Sequence, residues 1–312
     1  MFSRLPFVML AASLSFAADL KLGIIGTDTS HVIAFTKVLN DPANPDHIAG
    51  ARIVAAFKGG SPDVESSANR VEGFAKELQE KWRLELVPSI SDLCGKVDAI
   101  LLESVDGRKH LPQVKEAARC GKPMFIDKPL ASTLDEAREI ARVLKAANVK
   151  WFSTSSLRYG EVAVDMKFPD MTGATVWGPG PTEEHHPLSL SWYGIHAVEM
   201  LYALLGPGAQ SVSMMSTPDS DEVTATWKGG KLGTVRTIRP YSDFGGVVFR
   251  PKAVVPSGAK TKSSYVPMLK EIVKFFQTGV VPVPNEVTLE MFAFMDAAER
   301  SKAQGGAAMK LR

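Results

Sequence analysis

From residue 20 to about residue 154, short apolar runs alternate with stretches of helical periodicity, and this alternation leaves few folds open. The runs fall at residues 21–25, 52–57, 85–87, 97–102, 123–126 and 150–153. They are apolar throughout rather than at every second position, so each strand needs cover on both faces. Helical stretches at 31–39, 63–81, 109–120 and 134–147 can supply it. The pattern predicts a doubly wound parallel sheet of Rossmann type over residues 18–154, an α/β fold.

After residue 154 the texture changes. Residues 224–227 and 232–238 read as a hairpin joined by Lys228-Gly229-Gly230-Lys231, a turn suited to positive φ. Residues 172–177 and 210–215 are further strand candidates. Residues 193–205 read as an amphipathic helix stopped by Gly206, and two late helices are expected at 265–277 and 288–302. Proline and glycine cluster at 178–181 and 251–258, which read as loops. Residues 155–312 are therefore expected to form a second, α+β domain.

A chain of 312 residues can bury two cores. A net charge of +2, with no basic run, gives no argument for a nucleic-acid partner. No segment after residue 20 is long and apolar enough to span a bilayer. Residues 1–17 stand apart: Arg4 precedes an apolar stretch at 5–16, and Ser15-Phe16-Ala17 offers small cleavage residues. This reads as a secretory signal and implies a periplasmic or extracellular location. It lacks a twin arginine, and no cysteine follows it as a lipid anchor. Cys94 and Cys120 fall near helix ends at one edge of the sheet. Two buried free thiols are the simpler reading, although an oxidising compartment permits a disulfide.

The most specific motif is Asp127-Lys128-Pro129, which closes the apolar strand after Gly121-Lys122-Pro123. A lysine and a carboxylate there sit where open α/β sheets bind ligands. The motif resembles the Glu-Lys-Pro signature of the Gfo/Idh/MocA oxidoreductases, with Asp127 in place of glutamate. The resemblance extends in order through residues 98–102, His110, Arg158-Tyr159, Gly194-Ile195-His196 and the tail at 287–300. It implies that the second half is an open, mainly antiparallel sheet serving substrate binding and subunit contact, in a homo-oligomer. It also implies NAD(P)-dependent oxidation of a sugar or polyol hydroxyl. Lys128 would lie near nicotinamide and substrate, and His196 would handle the proton. The carboxylate often found near this turn would fall at Trp192, which leaves Glu199 as a candidate partner for His196. Arg158, Trp192 and Tyr193 would face the substrate. His185 and His186, preceded by Glu183-Glu184, would form a polar loop at the cleft mouth; a metal site there is conceivable, but none is expected.

The phosphate loop departs from that pattern. A dinucleotide fingerprint would place glycines at 26, 28 and 31, and in Gly26-Thr27-Asp28-Thr29-Ser30-His31 only Gly26 is present. A carboxylate at about 4 Å from a phosphate charge costs on the order of 4 kcal/mol at an effective dielectric of about 20. Either Asp28 turns away while Thr27, Thr29 and Ser30 still offer N–H groups, or Asp28 fills the anion site and no dinucleotide binds. The loop by itself favours the second outcome. The second strand ends Phe57-Lys58-Gly59-Gly60-Ser61 with no acid for a ribose, so Lys58 could hold a 2′-phosphate, favouring NADP over NAD. The expected cofactor contacts are thus residues 26–31, Lys58, Asp127 and Lys128. The competing expectation is a cofactor-free, exported carbohydrate-binding or scaffold protein on the same fold.

Overall fold

A computed structural model describes residues 18–312; the expected secretory leader lies outside the described residues. The first half carries strands β1 (Leu20–Ile25), β2 (Ala51–Phe57), β3 (Glu85–Val87), β4 (Ala99–Leu102), β5 (Met124–Asp127) and β6 (Trp151–Thr154). Its helices are α1 (His31–Asn40), α2 (Glu65–Ala68), α3 (Val71–Glu80), α4 (Ile90–Cys94), α5 (His110–Ala117) and α6 (Leu134–Ala146). The six strands form one parallel sheet in the order β3-β2-β1-β4-β5-β6. Strand order reverses between β1 and β4, which opens a crevice at their C-terminal ends.

Local chemistry explains the helices. In α6 the Thr133 hydroxyl accepts the Glu136 N–H, and the Glu136 carboxylate takes the hydroxyl and N–H of Ser132. Leu134, Ala137, Ile140 and Leu144 form its buried stripe. The single helix expected over 63–81 is two: the chain breaks at Asn69-Arg70 because Ser67 turns inward to bond Asp28 and the Ser61 N–H. The short α4, capped by Ser89, was not anticipated from periodicity.

The second half adds α7 (Glu161–Asp165), β7 (Gly173–Pro179), α8 (Ser189–Trp192), α9 (Ile195–Leu205), β8 (Ala209–Ser216), β9 (Ser220–Trp227), β10 (Leu232–Ile238), β11 (Gly245–Arg250), β12 (Ala253–Pro256), α10 (Tyr265–Thr278), α11 (Asn285–Ala303) and β13 (Met309–Lys310). Its seven-stranded sheet runs β12-β11-β7-β10-β9-β8-β13, antiparallel except for the β7–β10 pair. Gly229 and Gly230, at φ +82 and +79, make the β9–β10 turn. Two expected loops are corrected here. Residues 178–179 belong to β7, and 253–256 form the edge strand β12, where Pro256 is tolerated because its missing N–H faces no inner neighbour.

The late helices do more than complete the second sheet. Asn285, opening α11, donates to the Trp151 carbonyl, and Thr288 donates to that of Ser153. Phe275 on α10 packs edge-on against Phe152 of β6. The chain thus returns to cover the parallel sheet, fixing one half against the other. Among the described residues no helix is long and apolar enough to cross a membrane.

Cys94 and Cys120 are joined as a disulfide, with Cα atoms 5.4 Å apart, so the free-thiol expectation is overturned. Both lie at helix ends on one edge, which brings their Cβ atoms together. The bond closes a loop of sequence separation 26. Loop-closure entropy assigns such a bond about 3–4 kcal/mol. Urea unfolding with and without reductant should differ by that order, and a Cys94→Ser/Cys120→Ser double variant should match the reduced protein.

Candidate active site

A cavity of about 680 Å³ lies over the C-terminal ends of β1, β4 and β5, between the parallel sheet and α8–α9. One end is lined by Thr29, Ser30, Ser66 and Arg70, the other by Lys128, Trp192, Tyr193 and His196.

At the first end the phosphate loop takes an arrangement that its sequence left open. Gly26 has φ +89, and a Cβ there would lie 2.5 Å from the Ser104 nitrogen. Its glycine is required by the close approach of two loops. Thr27 is buried, and its N–H donates to the Lys58 carbonyl at 2.7 Å. Asp28 turns inward: its carboxylate accepts the Val105 N–H at 3.1 Å and the Ser67 hydroxyl at 2.6 Å. It has no exposed surface, and burial raises its pKa against the opposing pull of those bonds. The expected clash of Asp28 with an anion is therefore corrected, because the carboxylate ties three loops together behind the cavity wall. Thr29 and Ser30 line the cavity at the start of α1, and their backbone N–H groups find no protein acceptor among the described residues. Such groups suit an anion.

Lys58 does not reach this cavity; it pairs with Glu72 at 2.7 Å on the surface. The cation present is Arg70, which sequence reading passed over and which has no ion-pair partner among the described residues. Beside it the Ser66 hydroxyl is buried without a partner among the described residues. An orphaned hydroxyl, two free N–H groups and a free guanidinium fit the ribose and phosphates of a dinucleotide.

At the second end, Lys128 follows β5, its ammonium 5.7 Å from the Tyr193 ring centre. The Lys128–Pro129 peptide is cis. Tyr193 meets the His196 ring edge-on at 4.9 Å. His196 is nearly buried, and its Nδ1 shares a hydrogen with the Ser155 hydroxyl at 2.6 Å. Burial, then the positive fields of Lys128 and His31, hold its pKa well below the ordinary imidazole value. It is neutral near pH 7, and with Nδ1 donating to Ser155 its Nε2 can accept a proton.

Glu199 is not the partner of His196. It accepts hydrogen bonds from Thr154 and from Arg158. Arg158, expected to face the substrate, is thereby engaged beneath the cavity and does not line it. The expectation for the histidine pair changes too. His186 is buried, bonded through Nε2 to Asp106 at 3.0 Å and through Nδ1 to Ser191 at 3.1 Å. His185 pairs with Glu183 at 2.6 Å. Neither lines the cavity; they fasten the loop before α8 to the parallel-sheet half. Asp106 also receives Ser61 and Arg108. Burial would raise its pKa, yet the bonds from His186, Arg108 and Ser61 hold it well below the usual carboxylate range.

Asp127 and His31 meet on the cavity's inner wall, Nδ1 to Oδ2 2.7 Å, with Glu103 close behind at 3.8 Å. Burial opposes a charge on His31, but the Asp127 carboxylate outweighs it and the pKa rises to about 9. Burial and then the Asp127 charge push Glu103 up to about 8. Glu103 was missed, although an acid directly after the apolar Ala99–Leu102 strand was visible in the chain.

Residues 21–155 match the oxidoreductase family with an NAD-binding Rossmann fold, Gfo/Idh/MocA. This segment is similar to that family over less than half of the chain. Inositol 2-dehydrogenase of Paracoccus denitrificans is 29% identical over 199 residues, 60% of this chain and 54% of that protein. The chain thus spans about half the length of that curated relative. A putative NADPH-dependent oxidoreductase from Desulfitobacterium hafniense superposes with a TM-score of 0.75 at 14% identity, covering 95% of this chain and 99% of that one. Myo-inositol dehydrogenase of Lactobacillus casei, solved with NAD(H) and myo-inositol, gives 0.72 at 18% identity over 95% and 97%. The fold of these two structures therefore extends through both sheets.

The inward carboxylate generates a test. Asp28→Ala leaves the Val105 N–H and the Ser67 hydroxyl unpaired and should cost about 2–3 kcal/mol in urea unfolding. Asp28→Asn keeps the acceptor and should cost less than about 1 kcal/mol. It should leave dinucleotide affinity nearly unchanged; a large gain on neutralisation would place the charge inside the cavity.

Proposed function

We propose that this chain is an NAD(P)-dependent oxidoreductase acting on a sugar or polyol hydroxyl, with a phosphate loop that keeps only one of three fingerprint glycines. The observation that carries this reading is one continuous cavity joining an anion-ready end at Thr29, Ser30, Ser66 and Arg70 to a proton-handling end at Lys128 and His196. The nicotinamide dinucleotide, when bound, supplies the hydride acceptor. The N–H groups of Thr29 and Ser30 would hold its phosphates, and Ser66 and Arg70 its ribose end. A guanidinium at that end, with no acid closing β2, favours NADP over NAD.

The chain's own groups do the remaining work. Lys128 polarises the substrate oxygen, and neutral His196 removes the hydroxyl proton. The rings of Trp192 and Tyr193 offer an apolar wall for the CH face of a sugar ring. Export through the leader at residues 1–17 accords with the Cys94–Cys120 bond, since disulfides persist in oxidising compartments.

Calorimetric titration of the mature protein with NAD, NADH, NADP and NADPH tests the cofactor. NADPH should bind tightest, and Arg70→Ala should weaken it by roughly tenfold, the loss of one charge-assisted bond of about 1.5 kcal/mol. No binding of any of the four at millimolar concentration would overturn the proposal and leave the cofactor-free reading. On a polyol panel, Lys128→Met should lower kcat by about 10²–10⁴ with cofactor affinity retained. Because His196 must be neutral to act and its pKa is depressed, activity should persist as pH falls past about 6.5, the unperturbed imidazole value, and decline only below it. An acid limb centred above that value would remove His196 from the role.

A further inference from the structure

His31, Glu103 and Asp127 come from three separate elements: the start of α1, the residue after β4 and the end of β5. Each offers one ligand atom, and all three atoms lie within 4.8 Å of one another. The cluster is buried, with relative exposures of 7%, 0% and 2%. Its polar atoms are not satisfied internally. Both Glu103 oxygens and the Asp127 Oδ1 are buried with no hydrogen-bond partner among the described residues, while Asp127 Oδ2 holds His31 Nδ1. A fully buried carboxyl group, ionised or not, with no partner on either oxygen is costly and rare, and calls for a group that neither the fold nor the redox mechanism provides.

We propose that His31, Glu103 and Asp127 form a divalent-cation site at the inner wall of the cavity, suited to Zn²⁺ or Mn²⁺. One imidazole and two carboxylates form a donor set such ions accept. A tetrahedral ion with ligands about 2.1 Å away needs neighbouring ligand atoms about 3.4 Å apart. The separations here, 2.7 Å from His31 to Asp127 and 3.8 Å from His31 to Glu103, straddle that distance. Binding would displace the proton that His31 shares with Asp127 and any proton on Glu103; the two carboxylates and neutral imidazole left then cancel a doubly charged ion without another counter-ion. Lys128 is the cation that opposes it, and its ammonium lies over the Tyr193 ring. His31 lines the cavity, so the fourth coordination position would open toward bound substrate, the arrangement of a catalytic rather than a structural ion. An ion there would polarise a substrate oxygen beside Lys128.

The proposal goes beyond the oxidoreductase reading, since ion binding needs no nicotinamide and can be measured without turnover. The full mature protein is stripped with chelator, dialysed and titrated calorimetrically with Zn²⁺ and Mn²⁺. One equivalent of ion should bind, and Glu103→Gln, nearly isosteric, should weaken it by about 100-fold or more. Cobalt(II) added to the stripped wild-type protein provides a variant-free readout. Visible absorption bands of a four-coordinate nitrogen–oxygen site should appear at one equivalent and disappear when zinc is added. No binding to wild type at millimolar zinc or manganese would overturn the site. Unchanged binding in a folded Glu103→Gln variant would overturn it equally, by placing the ion elsewhere.

Discussion

Asp106 is buried where the two halves of the chain meet, and the cavity exists because of what it holds. From the parallel-sheet half it receives Ser61 and Arg108; from the other half it receives His186. His186 is anchored in turn to Ser191 in α8, directly before Trp192 and Tyr193. Trp192, edge-on to His186, and Tyr193, against the Lys128 ammonium, are therefore tied to a charge-assisted bond between halves. Such a bond is worth about 1.5–3 kcal/mol, and leaving its partner buried alone costs more. The helices α10 and α11 brace the same junction from the far side through Phe275, Asn285 and Thr288. Geometry at the site is thus held from both sides.

Much of this was legible in the chain. Uniform apolar runs separated by helices specified the parallel sheet, and the Gly229-Gly230 turn specified the β9–β10 hairpin of the second sheet, because both signals are local. That Lys128 and His196 share one cavity was legible only through the family resemblance, which set one after a strand and the other at the start of a helix. Pairing across the fold was not legible. Nothing in the sequence says that Arg158 meets Glu199 rather than substrate, that Lys58 meets Glu72, or that His186 meets Asp106, since these partners are 41, 14 and 80 residues apart. Strand β11 was hidden for a different reason. Its first residue, Gly245, carries no side chain to mark a strand, because the Trp177 ring packs where a Cβ would stand. The edge strand β12 was concealed by its own proline.

Asp28 shows how a correct local energy leads to the wrong conclusion when a side chain's direction is unknown. A carboxylate facing a phosphate at contact distance would indeed weaken binding by several kcal/mol. The calculation assumes that the charge faces the ligand. Here a buried hydroxyl and a backbone N–H draw it the other way, and the residue becomes the tie among the loops that follow β1, β2 and β4. The glycines usually found in this loop let a backbone approach phosphate; this chain replaces that approach with side-chain bonds behind the wall.

The result is a cavity whose two ends differ in chemistry. Near α1 and Arg70 it presents donors and positive charge with no internal acceptor. At the inner wall it presents Glu103 and Asp127, with His31 and Lys128 between them and the open space. A ligand with an anionic group at one end and hydroxyls at the other is favoured with its anion at Thr29, Ser30 and Arg70, because there no carboxylate offsets the donors, whereas Asp127 offsets the positive charge of His31 at the other end. In the low-dielectric interior that preference is far stronger than in water. Polarity along the cavity, more than the shape of any one pocket, sets which end of a bound molecule meets Lys128 and His196.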